Sequence, residues 1–442
     1  MSTGHALLWK PGRAACAALL SLAAAAGLPL AAAGSAAGQQ LTPRAASGQA
    51  AARVTAASIP QPGHHARQLL GVRCASRRDC WAVGWFAGSH STRSQALHWN
   101  GSAWARVATP DPGTLATVLQ SVTCTSHANC WAVGSATDGT SNDQTPVLTV
   151  AMHWNGHLWS VVPTPNPAGA TSGDVNGLQS VACVSAADCW AVGSSGGSAS
   201  GSPSHNVALH WNGRRWSAVP APDRLAGNGL FSVRCTRSSD CWAVGDTGGF
   251  LHPCCFSEFD VALRWNGRTW TPAPTPKPGK GIRALLGVSC TSSTNCWAVG
   301  AAGGINDSPI LNQALHWNGR AWALVHTPNP SGTRRNDQNI LQAVACPAAR
   351  NCWAVGFHDT GFATSQPVRN EALHWNGSSW TRILTPQPGG TVQFANNHLY
   401  AVTCTSTANC WAVGYFSRSA EVPHHDRMNQ ILHWDGSRWT LA

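Results

Sequence analysis

Leu69-Leu-Gly-Val-Arg-Cys74 opens a unit that this chain repeats seven times before its last residue, Ala442. The unit continues with Cys80-Trp-Ala-Val-Gly84 and, after a loop, with Ala96-Leu-His-Trp-Asn-Gly101 and then Trp104. The first cysteines of the seven copies stand at positions 74, 124, 183, 235, 290, 346 and 404, so successive copies are 50 to 59 residues apart. A segment of that length cannot bury its own apolar face and must pack on its neighbours. The sequence therefore predicts one large domain built from stacked repeats.

Each unit is predicted to form four short antiparallel strands. No run has helical spacing, and Gly, Asn, Asp, Ser and Pro separate four stretches rich in Val, Leu, Trp and Cys. In the first copy the predicted strands are Leu69 to Cys74, Cys80 to Gly84, Ala96 to Trp99, and one that begins at Trp104. Asn100-Gly101 is typical of a tight hairpin turn, which would place the two flanking tryptophans opposite each other.

Four-stranded units that recur four to eight times, with one Trp-bearing motif in each, are typical of a β-propeller. We therefore predict an all-β fold over residues 68–442: a seven-bladed β-propeller of four-stranded antiparallel blades with one disulfide per blade. A right-handed β-helix is the structural alternative, although its coils are usually about half this length.

The Cys80-Trp-Ala-Val-Gly84 strand followed by Gly-x-x-Trp at Gly101 to Trp104 resembles a known repeat. It is similar to that of the sialidase-like and photosystem-assembly-factor-like propellers that carry Asp-box hairpins. The resemblance covers all seven copies and implies the propeller fold. Counting back from Trp104, Gly101 matches the motif's glycine, and Trp99 stands where its aspartate would be.

Fourteen of the 17 cysteines form seven pairs with five residues between the partners. In an exported chain this pattern indicates disulfides, each of which would tie the first strand of a blade to the second. A zinc site would need two further ligands per copy, which no repeated Cys or His supplies. The aspartate or asparagine before each second cysteine, such as Asp79, is predicted to close the turn on its own backbone. The predicted pairs are Cys74 with Cys80, Cys124 with Cys130, Cys183 with Cys189, Cys235 with Cys241, Cys290 with Cys296, Cys346 with Cys352 and Cys404 with Cys410. The adjacent Cys254 and Cys255 could form a vicinal disulfide, which would be either a loop staple or a binding feature.

Residues 1–37 have the features of an export signal: Lys10 and Arg13, an apolar run from Ala14 to Leu30, and small residues near Ala37. A retained membrane anchor is the alternative. Removal of this segment would leave a secreted protein with a formal charge of +9, since one Lys and one Arg are lost from a total of +11. Residues 38–67 are predicted to be a flexible lead-in, part of which pairs beside the seventh blade and closes the ring.

All length variation falls on one rim of the predicted propeller. The segment between the second and third strands runs from 11 residues (85–95) to 16 (135–150), whereas the turns at the other end are constant. Variable loops on a rigid scaffold are common binding sites, although neutral drift produces the same asymmetry. The candidate ligand-binding residues are His252 and Phe256 in the fourth loop and a set on the innermost strands that would line the channel: Gln120, Gln179, Phe231, Gln342 and Tyr400, with Leu70 and Leu286 completing the ring.

Six of the seven third strands carry a histidine, and Arg264 replaces the fourth. These side chains lie two strands out from the axis and would diverge, so we predict packing or a hydrogen bond to the next blade and no metal ring. Loop aspartates such as Asp143, Asp307, Asp337 and Asp359 lack the spaced pattern of a calcium loop. No metal and no cofactor are predicted.

The sequence favours an extracellular binding protein over an enzyme. Three glutamates and two tyrosines in the whole chain are few for paired-carboxylate or tyrosine-nucleophile glycosidase chemistry. The candidate partners are a glycan, an anionic wall polymer or a protein; scattered arginines argue against nucleic acid, and we expect a monomer without a membrane span after signal cleavage. A carbohydrate-active enzyme, glycoside hydrolase or lyase, and a purely structural surface protein remain the alternatives.

Overall fold

The computed structural model describes residues 59–62, 66–139, 145–197, 203–224, 227–247, 259–277, 281–304, 308–361, 366–418 and 427–442. These residues form 28 strands and no helix, grouped as seven antiparallel blades of four strands each; a single parallel residue pair joins the first blade to the second, the second to the third and the fifth to the sixth. No helix in this part of the chain is long and apolar enough to cross a bilayer.

The strands follow one another in space as they do in sequence, so each repeat is one blade. The first three blades are β1 (Arg67–Ser76), β2 (Asp79–Ala87), β3 (Thr92–Trp99) and β4 (Trp104–Val107); β5 (Ala116–Ser126), β6 (Asn129–Thr137), β7 (Val147–Trp154) and β8 (Trp159–Val162); and β9 (Asp174–Ser185), β10 (Asp188–Gly197), β11 (Ser204–Trp211) and β12 (Trp216–Ala218).

The remaining four blades repeat the pattern. They are β13 (Gly229–Arg237), β14 (Asp240–Asp246), β15 (Asp260–Trp265) and β16 (Trp270–Pro272); β17 (Ile282–Ser292), β18 (Asn295–Gly303), β19 (Ile310–Trp317) and β20 (Trp322–Leu324); β21 (Gln338–Ala348), β22 (Asn351–Asp359), β23 (Arg369–Trp375) and β24 (Trp380–Arg382); and β25 (Asn396–Ser406), β26 (Asn409–Ser417), β27 (Met428–Trp434) and β28 (Trp439–Leu441).

The first strands of the seven blades form a closed ring. Each contacts the first strand of the next blade, and β25 of the last blade lies against β1 of the first. The protein is therefore a seven-bladed β-propeller with its first strands innermost, as the repeat predicts.

Tryptophan triads hold neighbouring blades together. Trp81 on β2 is fully buried, and its ring lies 4.8 Å from that of Trp154 and 5.1 Å from that of Trp159, the two hairpin tryptophans of the second blade. The same triad recurs at every junction, including the last, where Trp411 meets Trp99 and Trp104 at 4.9 and 5.4 Å. Each core cluster accordingly contains residues of two blades, which is why one repeat cannot stand alone.

The predicted hairpin between the third and fourth strands is confirmed. Trp99 faces Trp104 across these strands, and Gly101 between them has a φ of 96°, which favours glycine. Asn100, next to the Asp-box position, accepts the amide protons of Ser102 and Ala103.

The seven predicted disulfides between first and second strands are confirmed as well. In the first blade, the two-residue turn after β1 places Cys74 directly opposite Cys80. The second cysteine of every pair is fully buried, so each bond lies against the core of its blade. The eighth predicted pair, Cys254 with Cys255, lies outside the described residues. The bonded pairs are Cys74 with Cys80, Cys124 with Cys130, Cys183 with Cys189, Cys235 with Cys241, Cys290 with Cys296, Cys346 with Cys352 and Cys404 with Cys410.

The glycine of each Cys-Trp-Ala-Val-Gly strand is required by a close approach of backbone. At Gly84, an added Cβ atom would collide with the carbonyl oxygen of Gln68 on the innermost strand. The other six glycines face the equivalent carbonyl in the same way. The motif glycine therefore marks the point where the backbones of the first and second strands approach most closely, next to a β-bulge in the first strand.

The third-strand histidines pack as predicted, but the predicted hydrogen bond to the next blade and the predicted role of the acids before the second cysteines are wrong. His98 lies 4.5 Å from the ring of Trp81 and 2.8 Å from Asp79, both in its own blade. Asp79 thus binds His98 rather than closing its own turn. In the fourth blade, Arg264 replaces the histidine and forms an ion pair with Asp240. These side chains belong to the packing of each blade, and the described residues contain no cluster of metal-ligating groups.

The segment Ile59–Pro62 packs against the seventh blade, where sequence placed the lead-in. Ile59 joins the apolar cluster of the last junction. Gln61 accepts the amide proton of Asn429 on β27 at 3.0 Å and donates to its carbonyl at 3.1 Å. Asp111 accepts the corresponding amide of Ser94 in the first blade, so the N-terminal segment supplies to the last blade a contact that the connections after the first, second, third, fifth and sixth blades make for their own.

Candidate functional site

The two ends of the propeller differ in the way the sequence predicts. At one end, two-residue turns join each first strand to the second. At the other end, the connections between second and third strands vary from four residues (88–91) to 13 (247–259). We call this second end the variable rim. The two loop candidates, His252 and Phe256, fall in the longest connection and lie outside the described residues.

The predicted channel residues share one backbone feature. In every blade the register between first and second strands shifts by one residue, and the residue skipped is the predicted one. A bulge of this kind re-aims its side chain. These seven residues are half-buried, whereas the leucine before each is fully buried: Leu70, Gln120, Gln179, Phe231, Leu286, Gln342 and Tyr400.

The bulges place these residues at one level of the innermost ring. Neighbouring strands approach closely there: a Cβ atom added to Gly71 would lie 2.9 Å from the carbonyl oxygen of Gln120 in the next blade. Three amides and two aromatic rings thus stand at equivalent bulge positions of five different blades. Leu70 and Leu286 instead cover small apolar clusters.

Tyr400 belongs to a stacked group at the junction of the last and first blades. The ring of His398 lies parallel to Tyr415, 4.7 Å from it, and to Tyr400, 6.0 Å from it. The guanidinium carbon of Arg427 lies 4.6 Å from the centroid of Tyr415, and Arg427 donates to the side-chain oxygen of Gln68 at 3.3 Å. We call these five residues the tyrosine cluster.

The tyrosine cluster lies towards the variable rim, because Arg427 directly precedes β27 and Gln68 is near the start of β1. Burial lowers the pKa of His398 to about 3 with help from the charge of Arg427, so this imidazole is neutral. Burial raises the pKa of Tyr400, with a further contribution from Tyr415, so both hydroxyls are retained. The cluster thus offers an uncharged aromatic face, two hydroxyls and one guanidinium.

Two pairs of carboxylates lie on the same rim. Asp246 faces Asp260 across β14 and β15, and burial raises the pKa of Asp260 to about 6. Asp337 lies near Asp359, whose pKa burial also raises to about 6. All four side chains are buried, and Asp337 and Asp359 accept backbone amides at 2.7 and 3.0 Å. Both residues of the second pair therefore hold loop backbone in place.

Sequence reasoning missed most of the tyrosine cluster. Both tyrosines of the chain lie in one repeat, 15 residues apart, and this was a usable signal. The second strand was predicted to end at its glycine, so Tyr415, directly after Gly414, was assigned to a loop. The strand in fact continues to Ser417.

No protein-family model and no curated protein matches the chain. Among solved structures, the fold is similar to that of "YCF48 bound to D1 peptide", with a TM-score of 0.42 and 13% identity over 76% of this chain and 82% of that one. It is similar to a polysaccharide lyase, "PL25-Ulvanlyase", with a TM-score of 0.46 and 9% identity over 87% and 98% of the two chains. It is also similar to YjhT, with a TM-score of 0.41 and 11% identity over 87% and 99%.

Proposed function

We propose that this protein is an exported β-propeller that binds an extracellular ligand, either a glycan, a cell-wall polymer or a protein, without catalysing a reaction. The ligand would enter from the variable rim and contact the residues at the seven bulges. The observation that supports the proposal is the bulge position that Gln120, Gln179, Phe231, Gln342 and Tyr400 share on the innermost strands, since this set contains amides and aromatic rings but no carboxylate.

Tyr400 is the residue through which the proposal is most easily tested. It is half-buried, and the stacked rings of His398 and Tyr415 hold it in one orientation. A rigid aromatic ring beside amides suits the alternating apolar faces and hydroxyls of a sugar, and equally an extended peptide. The basic net charge would favour acidic ligands over neutral ones.

The experiment is a glycan array probed with the mature protein and three variants. Tyr400→Ala removes the ring, Tyr400→Phe retains it, and Leu384→Ala changes an exposed residue on an outer connection. We expect wild type, Tyr400→Phe and Leu384→Ala to bind the same spots, and Tyr400→Ala to bind them at least tenfold more weakly. If Tyr400→Ala and a version with the seven rim loops shortened both bind as strongly as wild type, the rim and channel site is refuted.

A carbohydrate-active enzyme is the second candidate, because the rim carries Asp337 beside Asp359 and glycosidases use two carboxyl groups. Incubation of acidic polysaccharides with the protein, followed by assays for new reducing ends and for unsaturated products, separates the two functions. We expect no product. Turnover that Asp359→Asn abolishes would establish the enzyme instead.

A further inference from the structure

Two arginines occupy the innermost strands at the end of the channel opposite the variable rim. Arg73 on β1 and Arg234 on β13 each directly precede the first cysteine of their blade. Their equivalents in the other blades are small residues, three of which carry a hydroxyl: Thr123, Ala182, Ser289, Ala345 and Thr403.

The ring brings these two arginines towards each other. They belong to the first and fourth of seven blades, which face each other across the axis. The positive charge of Arg234 is the main cause that lowers the pKa of Arg73 to about 9, and burial contributes second. Burial also lowers the pKa of Arg234. Both residues stand at the same place on innermost strands of facing blades, and the Nε atom of each is buried, so the two guanidinium groups lie within reach of each other's charge.

Neither guanidinium has an acidic partner within the described part of the chain. The Nε atoms of Arg73 and Arg234 are both buried without a hydrogen-bond acceptor among these residues. Asp79 and Asp240, the acids nearest in sequence, bind His98 and Arg264 in their own blades. At neutral pH both arginines remain protonated, so two half-buried like charges face each other without an acidic partner among the described residues.

We propose that Arg73 and Arg234 together bind a small oxyanion, a carboxylate, sulfate or phosphate group, on the axis of the propeller at its turn end. The planar guanidinium groups suit such an anion because each presents two parallel N–H donors. The small residues at the equivalent positions of the other blades leave the anion room. This site is separate from the rim site and does not depend on the proposed function.

The test is the binding of sulfate, phosphate and acetate, one at a time and at constant ionic strength, to the full mature protein. Equilibrium dialysis measures stoichiometry, and thermal unfolding measures stabilisation. We expect one equivalent of at least one of these anions to bind, with a saturable rise in melting temperature. The anion that binds most tightly identifies which oxyanion chemistry the site prefers.

Variants connect that binding to the two arginines. Arg73→Met and Arg234→Met should each weaken it by about tenfold or more. The double variant should lose it and, in low salt without oxyanion, should melt at a higher temperature than wild type because the repulsion is gone. Arg214→Met, on an exposed hairpin turn, is the control for net charge and should bind as wild type does. The proposal fails if wild type binds none of the three anions, and this result does not depend on any variant folding. It also fails if the double variant binds the anion as tightly as wild type does.

Discussion

Asn429 in the last blade and Gln95 in the first exchange two side-chain hydrogen bonds, of 3.0 and 3.1 Å, across the junction that closes the ring. Both residues are fully buried on third strands. Three further junctions have a polar pair at the same place: Asp260 with Gln313, Asn312 with Glu371, and Asn370 with Gln430. At the other three junctions the second partner is valine: Val150, Val207 and Val261.

We expect Gln95→Val to destabilise the protein by about 1 to 3 kcal/mol, because it leaves the buried amide of Asn429 without its partner. The double variant Gln95→Val with Asn429→Thr copies the natural pair of Thr149 and Val207 and should recover most of the loss. Denaturant unfolding of the three proteins measures both effects. A double variant that is less stable than Gln95→Val would show that the amide pair does not act as a unit.

Glu371 takes the place that glutamine occupies in three other blades. Burial raises its pKa to about 8, and its Oε2 atom has no partner among the described residues. The folded state therefore holds a proton that the unfolded chain releases above about pH 4.5, so stability is full below that pH and is lost progressively towards pH 8.

The substitution Glu371→Gln should remove this loss. We expect little change at pH 4.5 and a gain of about 3 kcal/mol or more at pH 8, since the amide carries its hydrogens at every pH. Unfolding measured at both pH values tests this. Glu371→Ala, which removes one of the two acceptors of the Asn312 amide, should be less stable than Glu371→Gln throughout, and an unchanged pH dependence in Glu371→Gln would assign it to other groups.

Gln61 and Gln387 make the same contact in different blades, since their side-chain oxygens accept the amide protons of Asn429 and Asn370 at 3.0 and 2.8 Å. Alanine at either position should therefore cost about 1 to 2 kcal/mol. Melting temperatures of the two variants provide the comparison. If only Gln387→Ala lowers the melting temperature, the N-terminal segment does not stabilise the last blade.

The repeat predicts the fold well because its signals are local. Cysteine spacing, Asn100-Gly101 and the regular tryptophans act within one blade, and the strands, the hairpin and the disulfides were all predicted from them. The repeat predicts a loop at the polar residues Ser94 and Gln95, since their spacing does not show that Asp111 and, across the closing junction, Asn429 form hydrogen bonds with them. Because the first residues of the third strand include polar ones, the third strand was predicted to begin at Ala96, whereas it begins at Thr92.

The candidate site could be predicted only in part for the same reason. The bulge residues follow from counting along each repeat, since they occupy equivalent positions on the innermost strands. Arg427, which lies over the ring of Tyr415, meets Gln68 only because the last blade closes on the first. Arg73 and Arg234 come together only across a ring of seven, which no single repeat encodes.

The fold depends most on closure of the ring, and one comparison of free energies of unfolding tests this closure. Trp353 and Trp411 are equivalent buried residues, but Trp353 packs on the following blade, whereas Trp411 packs on the first blade of the chain. We predict that Trp353→Ala and Trp411→Ala lower the free energy of unfolding equally, by about 3 to 5 kcal/mol. A loss of stability confined to Trp353→Ala would contradict closure of the ring, because it would mean that the last blade does not pack on the first.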